Sequence, residues 1–433
     1  MADPVPLRGF ADRTYRVDPA LRHRVAEATV TVRGPDGVPL AGTEVTVAQR
    51  RHAFLFGCIG FDFIGLANGE PAAGGPGAVF GGGAGADDLA ELWFGLFNAA
   101  TLPFYWGDFE PVPGRPDTAR LRRTAEWFRD RGAVVKGHPL AWHTLAPGWL
   151  AGRPTAEVAE ALRGRIRREV AGLAGVVDTW DAINEVVIMP VFDKYDNALT
   201  RLSRDLGRIG TIRLAFDEAR AANPRATLLL NDFDLSTAYE ALIEGCLEAG
   251  VQIDALGLQS HMHQGYWGEE RTLAVLERFA RYGLPIHFTE STLLSGDLMP
   301  SEIEDLNDWQ VDEWPSTPEG EARQADEIVR HVRTLLSHPQ VQGATYWGLT
   351  DAGAWLNAPV GLVRADGPPK PAYEALHRLV KGEWWLAPTA LRTDDEGRVP
   401  VTGWRGDYEV TAAGRTAEFT LDTSGPIAVT LPG

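Results

Sequence analysis

The sequence predicts an α/β protein, a (β/α)8 TIM barrel with a small all-β sandwich domain built from the N- and C-terminal segments. The middle of the chain alternates eight short β-rich runs with helical stretches, which is typical of βαβ units and a parallel sheet. Both ends instead alternate apolar and polar residues around turn signals. The chain has 433 residues, and a single barrel needs roughly 250, so there is room for a second domain.

The two ends of the chain predict the sandwich. Residues 1–23 form an irregular polar leader, and residues 24–50 hold two alternating runs around a Gly-Pro-Asp-Gly turn. Residues 383–433 return to the same pattern, with Asp-Glu-Gly and Ala-Gly at the turns. Because two or three strands are marginal alone, we expect one sandwich interrupted by a catalytic barrel at 51–382. The alternative is two independent appendages packed on the barrel.

The predicted barrel elements follow in chain order. The strands are 54–60, 92–99, 133–137, 177–183, 227–232, 255–259, 285–289 and 343–347. The helices are 118–131, 155–171, 202–222, 238–249, 270–282, 319–337 and 372–380. Residues 65–90 are rich in Gly and Ala and predict a flexible loop over one end of the barrel. An open doubly wound sheet is the rival fold, but no dinucleotide-type glycine fingerprint follows the first strand.

Composition and charge narrow the class of protein. The net charge of −18 argues against nucleic acids and anionic membranes as partners, because both need clustered positive charge. No apolar run reaches the roughly 18 residues of a membrane span, and the N-terminus lacks a signal-peptide core. We expect a cytoplasmic protein, or a secreted one whose signal peptide is absent from this sequence. Cys58 and Cys246 lack metal-binding spacing, which predicts buried free thiols and no metal site.

Two carboxylates at predicted strand ends carry the chemical hypothesis. Reactive groups of such barrels lie at the C-terminal ends of the strands, and Glu185 and Glu290 end strands four and seven. One carboxyl group can protonate a leaving oxygen while the other attacks the anomeric carbon of a sugar. The two tasks need opposed protonation states, so their surroundings must differ.

The neighbouring strand ends indicate how those surroundings differ. Asn184 is placed to hold a sugar 2-hydroxyl. Glu290 can accept a hydrogen bond from His261 or Gln259, which would keep it ionised, and Asp232 would orient His261. Two tryptophans are expected to form an apolar wall against sugar faces, Trp347 and Trp355. Singly, each of these residues also fits a structural role, and their coincidence on one rim favours catalysis.

Six segments in order resemble glycoside hydrolase family 10, the endo-β-1,4-xylanase family. The resemblance covers roughly residues 52–380, and the segments are GHPLAWHTLAPGWL (137–150), WDAINE (180–185), LLLNDFD (228–234), LGLQSHMH (256–263), IHFTES (286–291) and YWGLTDAGAWL (346–356).

The resemblance implies a retaining double displacement on β-1,4-xylan or xylo-oligosaccharides, with Glu185 as general acid/base and Glu290 as nucleophile. It implies a carbohydrate partner and no cofactor, metal or organic. The residues that would line the sugar site are Asn98, His138, Trp142, His143, Asn184, Gln259, His261, Trp347 and Trp355.

The chain also departs from the family pattern. The family usually has a Glu-Asn pair followed by a Lys on strand two, and the aligned residues here are Phe97, Asn98 and Thr101. A Gln two residues after the second histidine is replaced by Leu145, and Ser291 follows the nucleophile. The alternative function is therefore the same mechanism on another β-glycoside, such as a short, decorated or aryl glycoside.

Two other classes remain as remote alternatives. A non-catalytic carbohydrate-binding protein would be free to lose either carboxylate, and both are present. A barrel isomerase or aldolase would need a reactive lysine, a phosphate loop or metal ligands, and Lys136 is the one lysine at a predicted strand end. In the sandwich, four aromatic residues either stack on sugars or pack the junction with the barrel, Trp384, Trp385, Trp404 and Tyr408.

Overall fold

The computed structural model describes residues 6–7, 15–70 and 85–433, and its centre is a closed barrel of eight parallel strands. Each strand pairs with the next along the chain, and the eighth closes on the first where Gly343 pairs with Leu55. In order, the strands are Leu55–Ile59, Ala99–Pro103, Val134–His138, Thr179–Asn184, Thr227–Asp232, Ala255–Met262, Ile286–Leu293 and Val341–Tyr346. The predicted fold class is confirmed.

Helices surround the barrel and bury one face against the strands. They are Ile64–Ala67, Ala86–Leu96, Trp106–Phe109, Thr118–Arg129, Thr155–Gly172, Ala198–Ala222, Thr237–Glu248, Gly268–Ala280, Pro318–Ser337 and Pro371–Arg378. The helix Pro318–Ser337 shows why the sequence signals worked: Thr317 accepts a hydrogen bond from the Gly320 N–H, and proline occupies the first turn. All seven predicted helices are found, each within a few residues of its expected bounds.

The predicted second strand, 92–99, is wrong. Its apolar run is the end of the helix Ala86–Leu96, in which Trp93 and Leu96 are buried, and the strand starts only at Ala99. A short apolar run fits a buried helix and a buried strand equally well, so periodicity alone could not separate them. The same helix takes in the end of the predicted loop at 65–90, and residues 71–84 of that loop lie outside the described residues.

Strands from both ends of the chain form two sheets that enclose a second apolar core. Each sheet places an N-terminal strand between two C-terminal ones. The four-stranded sheet runs in the order Thr389–Arg392, Glu44–His52, Gly406–Ala412 and Arg415–Leu421. The three-stranded sheet runs in the order Arg398–Trp404, Val25–Arg33 and Gly425–Thr430. Because each N-terminal strand is flanked by C-terminal strands, the two ends depend on each other for their hydrogen bonds.

The sandwich meets the N-terminal end of the barrel through aromatic packing. Trp384 is fully buried, stacks on Phe56 of the first barrel strand with ring centroids 6.2 Å apart, and lies 5.8 Å from Trp404. Tyr408 is also fully buried. Packing at the junction therefore accounts for Trp384 and Trp404, and packing on Phe419 in the sandwich core accounts for Tyr408.

One arginine adds a polar link at the same junction. Arg24, just before the first sandwich strand, donates at 2.6–3.0 Å to three backbone carbonyls around the start of the eighth barrel strand, those of Leu336, His338 and Val341.

Within the described residues, no helix has the length and apolar character required to cross a membrane.

Candidate active site

The two predicted catalytic carboxylates lie at the C-terminal rim of the barrel. Glu185 directly follows the fourth strand, and Glu290 lies in the second half of the seventh. The register shifts just before Glu185 and around Glu290, and such bulges redirect side chains at functional sites. Glu185 has a φ of 56°, a left-handed conformation that costs a non-glycine residue about 1–3 kcal/mol. The surrounding contacts must therefore hold it in place.

Glu290 lies among hydrogen-bond donors and positive charge. Its Oε1 accepts from Asn231 Nδ2 at 3.0 Å, and its Oε2 is 3.1 Å from His261 Nε2. The Nε2 of His138 lies 3.9 Å from Oε1. Burial alone would raise the pKa of Glu290, but His138, His261 and Lys136 outweigh it and hold the pKa below its usual value. Glu290 is thus the ionised member of the pair.

Glu185 lies among neutral donors and beside the charge of Glu290. Its Oε2 accepts from the Trp142 indole at 2.7 Å, and its Oε1 accepts from Asn184 Nδ2 at 3.1 Å and Gln259 Nε2 at 3.2 Å. Burial and then the negative charge of Glu290 raise the pKa of Glu185 to about 8, despite the hydrogen bonds from Trp142 and Gln259. Glu185 therefore keeps its proton at neutral pH.

A short amide network joins the two carboxyl groups. Asn184 Oδ1 accepts from Asn231 Nδ2 at 2.7 Å and from Gln259 Nε2 at 3.1 Å, while Asn231 also reaches Glu290. This close packing depends on Gly257 in the sixth strand, where a Cβ atom would lie 2.3 Å from Asn231 Oδ1. A larger residue at 257 would push Asn231 away from both partners.

Sequence reasoning gave no role in the site to Asp181, Lys136 or Asn231. Asp181 is fully buried, and its Oδ2 lies 2.7 Å from His138 Nδ1 and 2.8 Å from Lys136 Nζ. Burial would raise the pKa of Asp181, but Lys136 and His138 together bring it below its usual value. Both Asp181 and Asn231 lie inside the family segments quoted from the sequence, and that position could have identified them as site residues. Pairing with Asp181 also gives Lys136 a structural role.

Aromatic rings cover the histidines of the site. Trp347 lies 5.2 Å from the His138 ring, and Trp355 lies 5.0 Å from the His261 ring. The indole of Trp355 also donates to Asn307 Oδ1 at 3.3 Å. The two tryptophans thus lie on the rim beside the histidines that contact Glu290, where the apolar wall was predicted.

Two of the predicted contacts at this rim differ in the structure. Asp232 does not orient His261: its carboxylate accepts from the backbone N–H groups of Val187 and Asp234, both at 3.0 Å, and so holds the turn after Glu185. Gln259 bonds Glu185 rather than Glu290. His143 is buried with its ring 4.6 Å from Phe192, and its contact with a sugar stays a prediction.

The predicted contact from Asn98 is wrong, because the residue lies at the opposite end of the barrel. Its Nδ2 donates to the carbonyls of His52 and Phe54, both at 3.0 Å, below the start of the second strand. Phe97 and Asn98 line a cavity of about 570 Å³ between the barrel and the sandwich. Thr101 is buried within the strand. These three residues therefore cannot shape the glycone side, and the error follows from the misplaced second strand.

Tyr105, two residues after the second strand, lies at the rim. Its ring centroid lies 5.7 Å from His138 and 5.6 Å from Trp142. Burial, Glu290 and Glu185 in that order raise the pKa of its hydroxyl well above the usual value.

Both cysteines are buried and free as predicted, and among the described residues no cluster of three or more His, Cys, Asp or Glu side chains could hold a metal ion.

Comparison with known proteins agrees with this geometry. The sequence model of "Glycosyl hydrolase family 10" matches residues 104–379. The chain is 26% identical over 333 residues to "Endo-1,4-beta-xylanase 5" of Pyricularia oryzae, covering 72% of this chain and 76% of that protein. It is 28% identical over 298 residues to "Endo-1,4-beta-xylanase B" of Thermotoga neapolitana, covering 64% and 78%.

Solved structures agree on the fold. Xylanase 10B from Thermotoga petrophila in complex with xylobiose superposes with a TM-score of 0.60 at 22% identity, over 76% of this chain and 94% of that one. A family 10 structure from Paenibacillus barcinonensis gives 0.61 at 24% identity, over 75% and 94%.

Proposed function

Because the chain belongs to glycosyl hydrolase family 10, we propose that it hydrolyses β-1,4-xylan or xylo-oligosaccharides, with Glu290 as nucleophile and Glu185 as acid/base. Membership makes the protein a retaining glycosidase. The substrate rests on the endo-1,4-beta-xylanases among its relatives. The roles of the two residues rest on the geometry of the site.

The first step forms a glycosyl ester. Glu290, ionised and held by Asn231 and His261, attacks the anomeric carbon through an Oε atom. Glu185, protonated, gives its proton to the glycosidic oxygen, so that the aglycone leaves as a neutral alcohol. Asn184 and Asn231 hold the two carboxyl groups at a fixed separation during this step.

The second step releases the sugar. Glu185 is now a carboxylate and takes a proton from water, which attacks the anomeric carbon and displaces Glu290. As the ester breaks, negative charge returns to Glu290, where His138 and His261 stabilise it. Two inversions at the same carbon leave the product with the β configuration of the substrate.

The observation that carries the proposal is the opposed protonation of two linked carboxyl groups. The pKa of Glu185 is raised to about 8 and that of Glu290 is lowered. An acid and a nucleophile must be held in these states at one pH. A non-catalytic sugar-binding protein would have no need for this division.

The first experiment is hydrolysis of a substrate panel by wild type and Glu290→Ala. The panel contains 4-nitrophenyl β-xyloside, β-xylobioside, β-glucoside and β-cellobioside, together with xylan. We expect cleavage of xylosides that disappears in Glu290→Ala, and a product observed first as the β anomer by NMR. Cleavage of glucosides alone would retain the mechanism and reject the substrate, and an α anomer as first product would reject the roles of both residues.

A further inference from the structure

Four aromatic side chains that follow different strands form a wall beside His138. Phe61 follows the first strand, Tyr105 the second, Trp142 the third and Trp347 the eighth. Their ring centroids lie in a chain of contacts, 6.1 Å from Phe61 to Tyr105, 5.6 Å from Tyr105 to Trp142 and 5.7 Å from Phe61 to Trp347. The ring of His138, which contacts Asp181 and faces Glu290, lies against three of these four rings, those of Tyr105, Trp142 and Trp347.

Polar groups are scarce where these strands end. The rim segments of the first two strands, 60–63 and 103–106, contain only three side chains with polar atoms. The Trp106 indole is already bonded to Glu110 Oε2 at 3.0 Å. Asp62 is held among apolar neighbours, which raise its pKa to about 7. The Tyr105 hydroxyl is left, and no residue in the described ranges 6–7, 15–70 and 85–433 is hydrogen-bonded to it.

An apolar residue extends this surface. Leu145, in the loop after the third strand, is 41% exposed with a φ of 55°. Its carbonyl accepts from the Gly107 N–H at 2.6 Å, directly after the rim of the second strand. A Cβ on Gly107 would lie 2.6 Å from that carbonyl oxygen, so the glycine permits the close approach. The loop bearing Leu145 is therefore fixed beside Tyr105.

We propose that Tyr105 is a specificity-determining residue, and that the aromatic wall it completes with Phe61 limits the glycone to one neutral sugar. The inference rests on the proposed function and names its substrate class: short β-xylosides and chain ends. The sugar next to the cleaved bond stacks on the rings and accepts a hydrogen bond from the Tyr105 hydroxyl. Within the described rim segments 60–63 and 103–106 and at Leu145, a second glycone sugar would meet phenyl and leucine side chains and no amide or ammonium group.

The wild-type enzyme provides the first test through two substrates with the same leaving group. We expect kcat/KM for 4-nitrophenyl β-xylobioside to lie within about tenfold of that for 4-nitrophenyl β-xyloside, since charged partners for a second sugar would raise it on the order of 100-fold. A preference of 100-fold or more for the xylobioside would overturn the inference while leaving the proposed function intact. Absence of cleavage of every xyloside would remove both.

Variants of Tyr105 provide the second test. Tyr105→Phe should raise KM for the xyloside about tenfold with kcat nearly unchanged, because only a contact to bound sugar is lost. Tyr105→Ala opens the wall, and the xylobioside-to-xyloside ratio should rise at least about threefold. The matched control is Tyr282→Phe, which removes a hydroxyl bonded to Arg281 and Glu244 at the other end of the barrel. Unchanged KM in Tyr105→Phe, with thermal unfolding like wild type, would exclude the sugar contact.

Discussion

The two ends of the barrel use buried polar groups in different ways. At the C-terminal end, charged groups are buried against each other, Glu185 is held in a left-handed conformation, and the buried Nδ1 of His261 has no partner among the described residues. At the N-terminal end, Arg24 and His52 donate to backbone carbonyls and Trp384 fills the junction with the sandwich. The first end retains strain and charge that chemistry needs, and the second contributes stability. Substitutions at the two ends should therefore separate activity from folding.

The largest effect should come from exchanging the two carboxylates one at a time. Glu290→Gln removes the nucleophile and should lower kcat on the order of 10⁶-fold, as for other covalent nucleophiles. Glu185→Gln removes the general acid and should lower the rate on xylan about 10²–10⁴-fold. It should slow formation of the glycosyl ester much less with 4-nitrophenyl xyloside, because nitrophenolate leaves without a proton. Burst kinetics on the two substrates measure the difference.

The assignment of Glu185 as the general acid is contradicted if Glu185→Gln lowers the rate by the same factor on both substrates, as Glu290→Gln does. That outcome would mean that Glu185 assists through position or charge rather than by proton transfer. Both variants should remain folded, because neither side chain belongs to the apolar core, and Glu185→Gln should be at least as stable as wild type at neutral pH because it removes a carboxyl group whose pKa is raised on folding.

The opposite end should respond in stability alone. Trp384→Ala removes a fully buried ring that packs on Phe56 and Trp404, and should lower the free energy of unfolding by about 3–5 kcal/mol. Well below the unfolding temperature, kcat/KM should match wild type. Trp385→Ala, at a half-buried neighbour, is the control with a smaller expected loss. A large fall in kcat/KM for folded Trp384→Ala would show that the two ends are coupled.

The sequence predicted the catalytic rim better than the region below it, for a physical reason. Strand ends such as 184–185 and 231–232 combine an apolar run with polar residues, and that abrupt change marks the rim. The second strand lacked such a mark, because the helix Ala86–Leu96 is nearly as apolar as a strand. The misplacement moved Asn98 and Phe97 into the site and left Tyr105 without a defined role.

Side-chain partners were predicted less well than positions. The contact between His261 and Glu290 was anticipated, whereas the link from His138 to Asp181 was not. Asp232 ends the fifth strand and Asp181 lies inside the fourth, and only the alternation of side chains between barrel interior and exterior separates their roles. Register shifts near both catalytic strands disturb that alternation, so counting along the sequence could not assign the partners. The domain boundaries at 50 and 383 stay a prediction.

The catalytic end of the barrel should also make both activity and stability depend on pH in the wild-type protein. The pKa of Glu185 is raised to about 8, so kcat/KM on xylo-oligosaccharides should fall about tenfold per pH unit above that value as the acid loses its proton. The sign for stability follows from the same shift. The folded state holds a proton that the unfolded state has released above its lower pKa, so stability falls as pH rises from about 4.5 to 8.

Glu185→Gln removes this titration. Relative to wild type, it should therefore gain stability progressively across that window, measured by urea unfolding at several pH values. A constant difference at all pH values would show that the pKa of Glu185 is not raised in the folded protein.

The smallest effect should come from an ion pair that spans the cleft. Lys194, in the loop after the fourth strand, lies 2.6 Å from both Asp305 and Asp308 in the loop after the seventh. The loops that follow the two catalytic strands are thus joined across the rim. Because the pair is partly exposed, it should contribute less than about 1 kcal/mol to stability. We expect the pair to affect access to the cleft more than stability, because a polymer would have to pass between the two loops that it joins.

Lys194→Met should therefore leave unfolding and xyloside hydrolysis nearly unchanged while raising the rate on xylan severalfold relative to the xyloside. Salt provides an independent control, because raising the ionic strength toward 1 M weakens exposed ion pairs and should raise the same ratio in wild type but not in Lys194→Met. The matched variant Arg201→Met breaks an exposed pair with Asp196 on one side of the cleft and should leave the ratio unchanged. If Arg201→Met raised the ratio equally, general loosening of the loop after the fourth strand, rather than the cross-cleft contact, would limit access of the polymer.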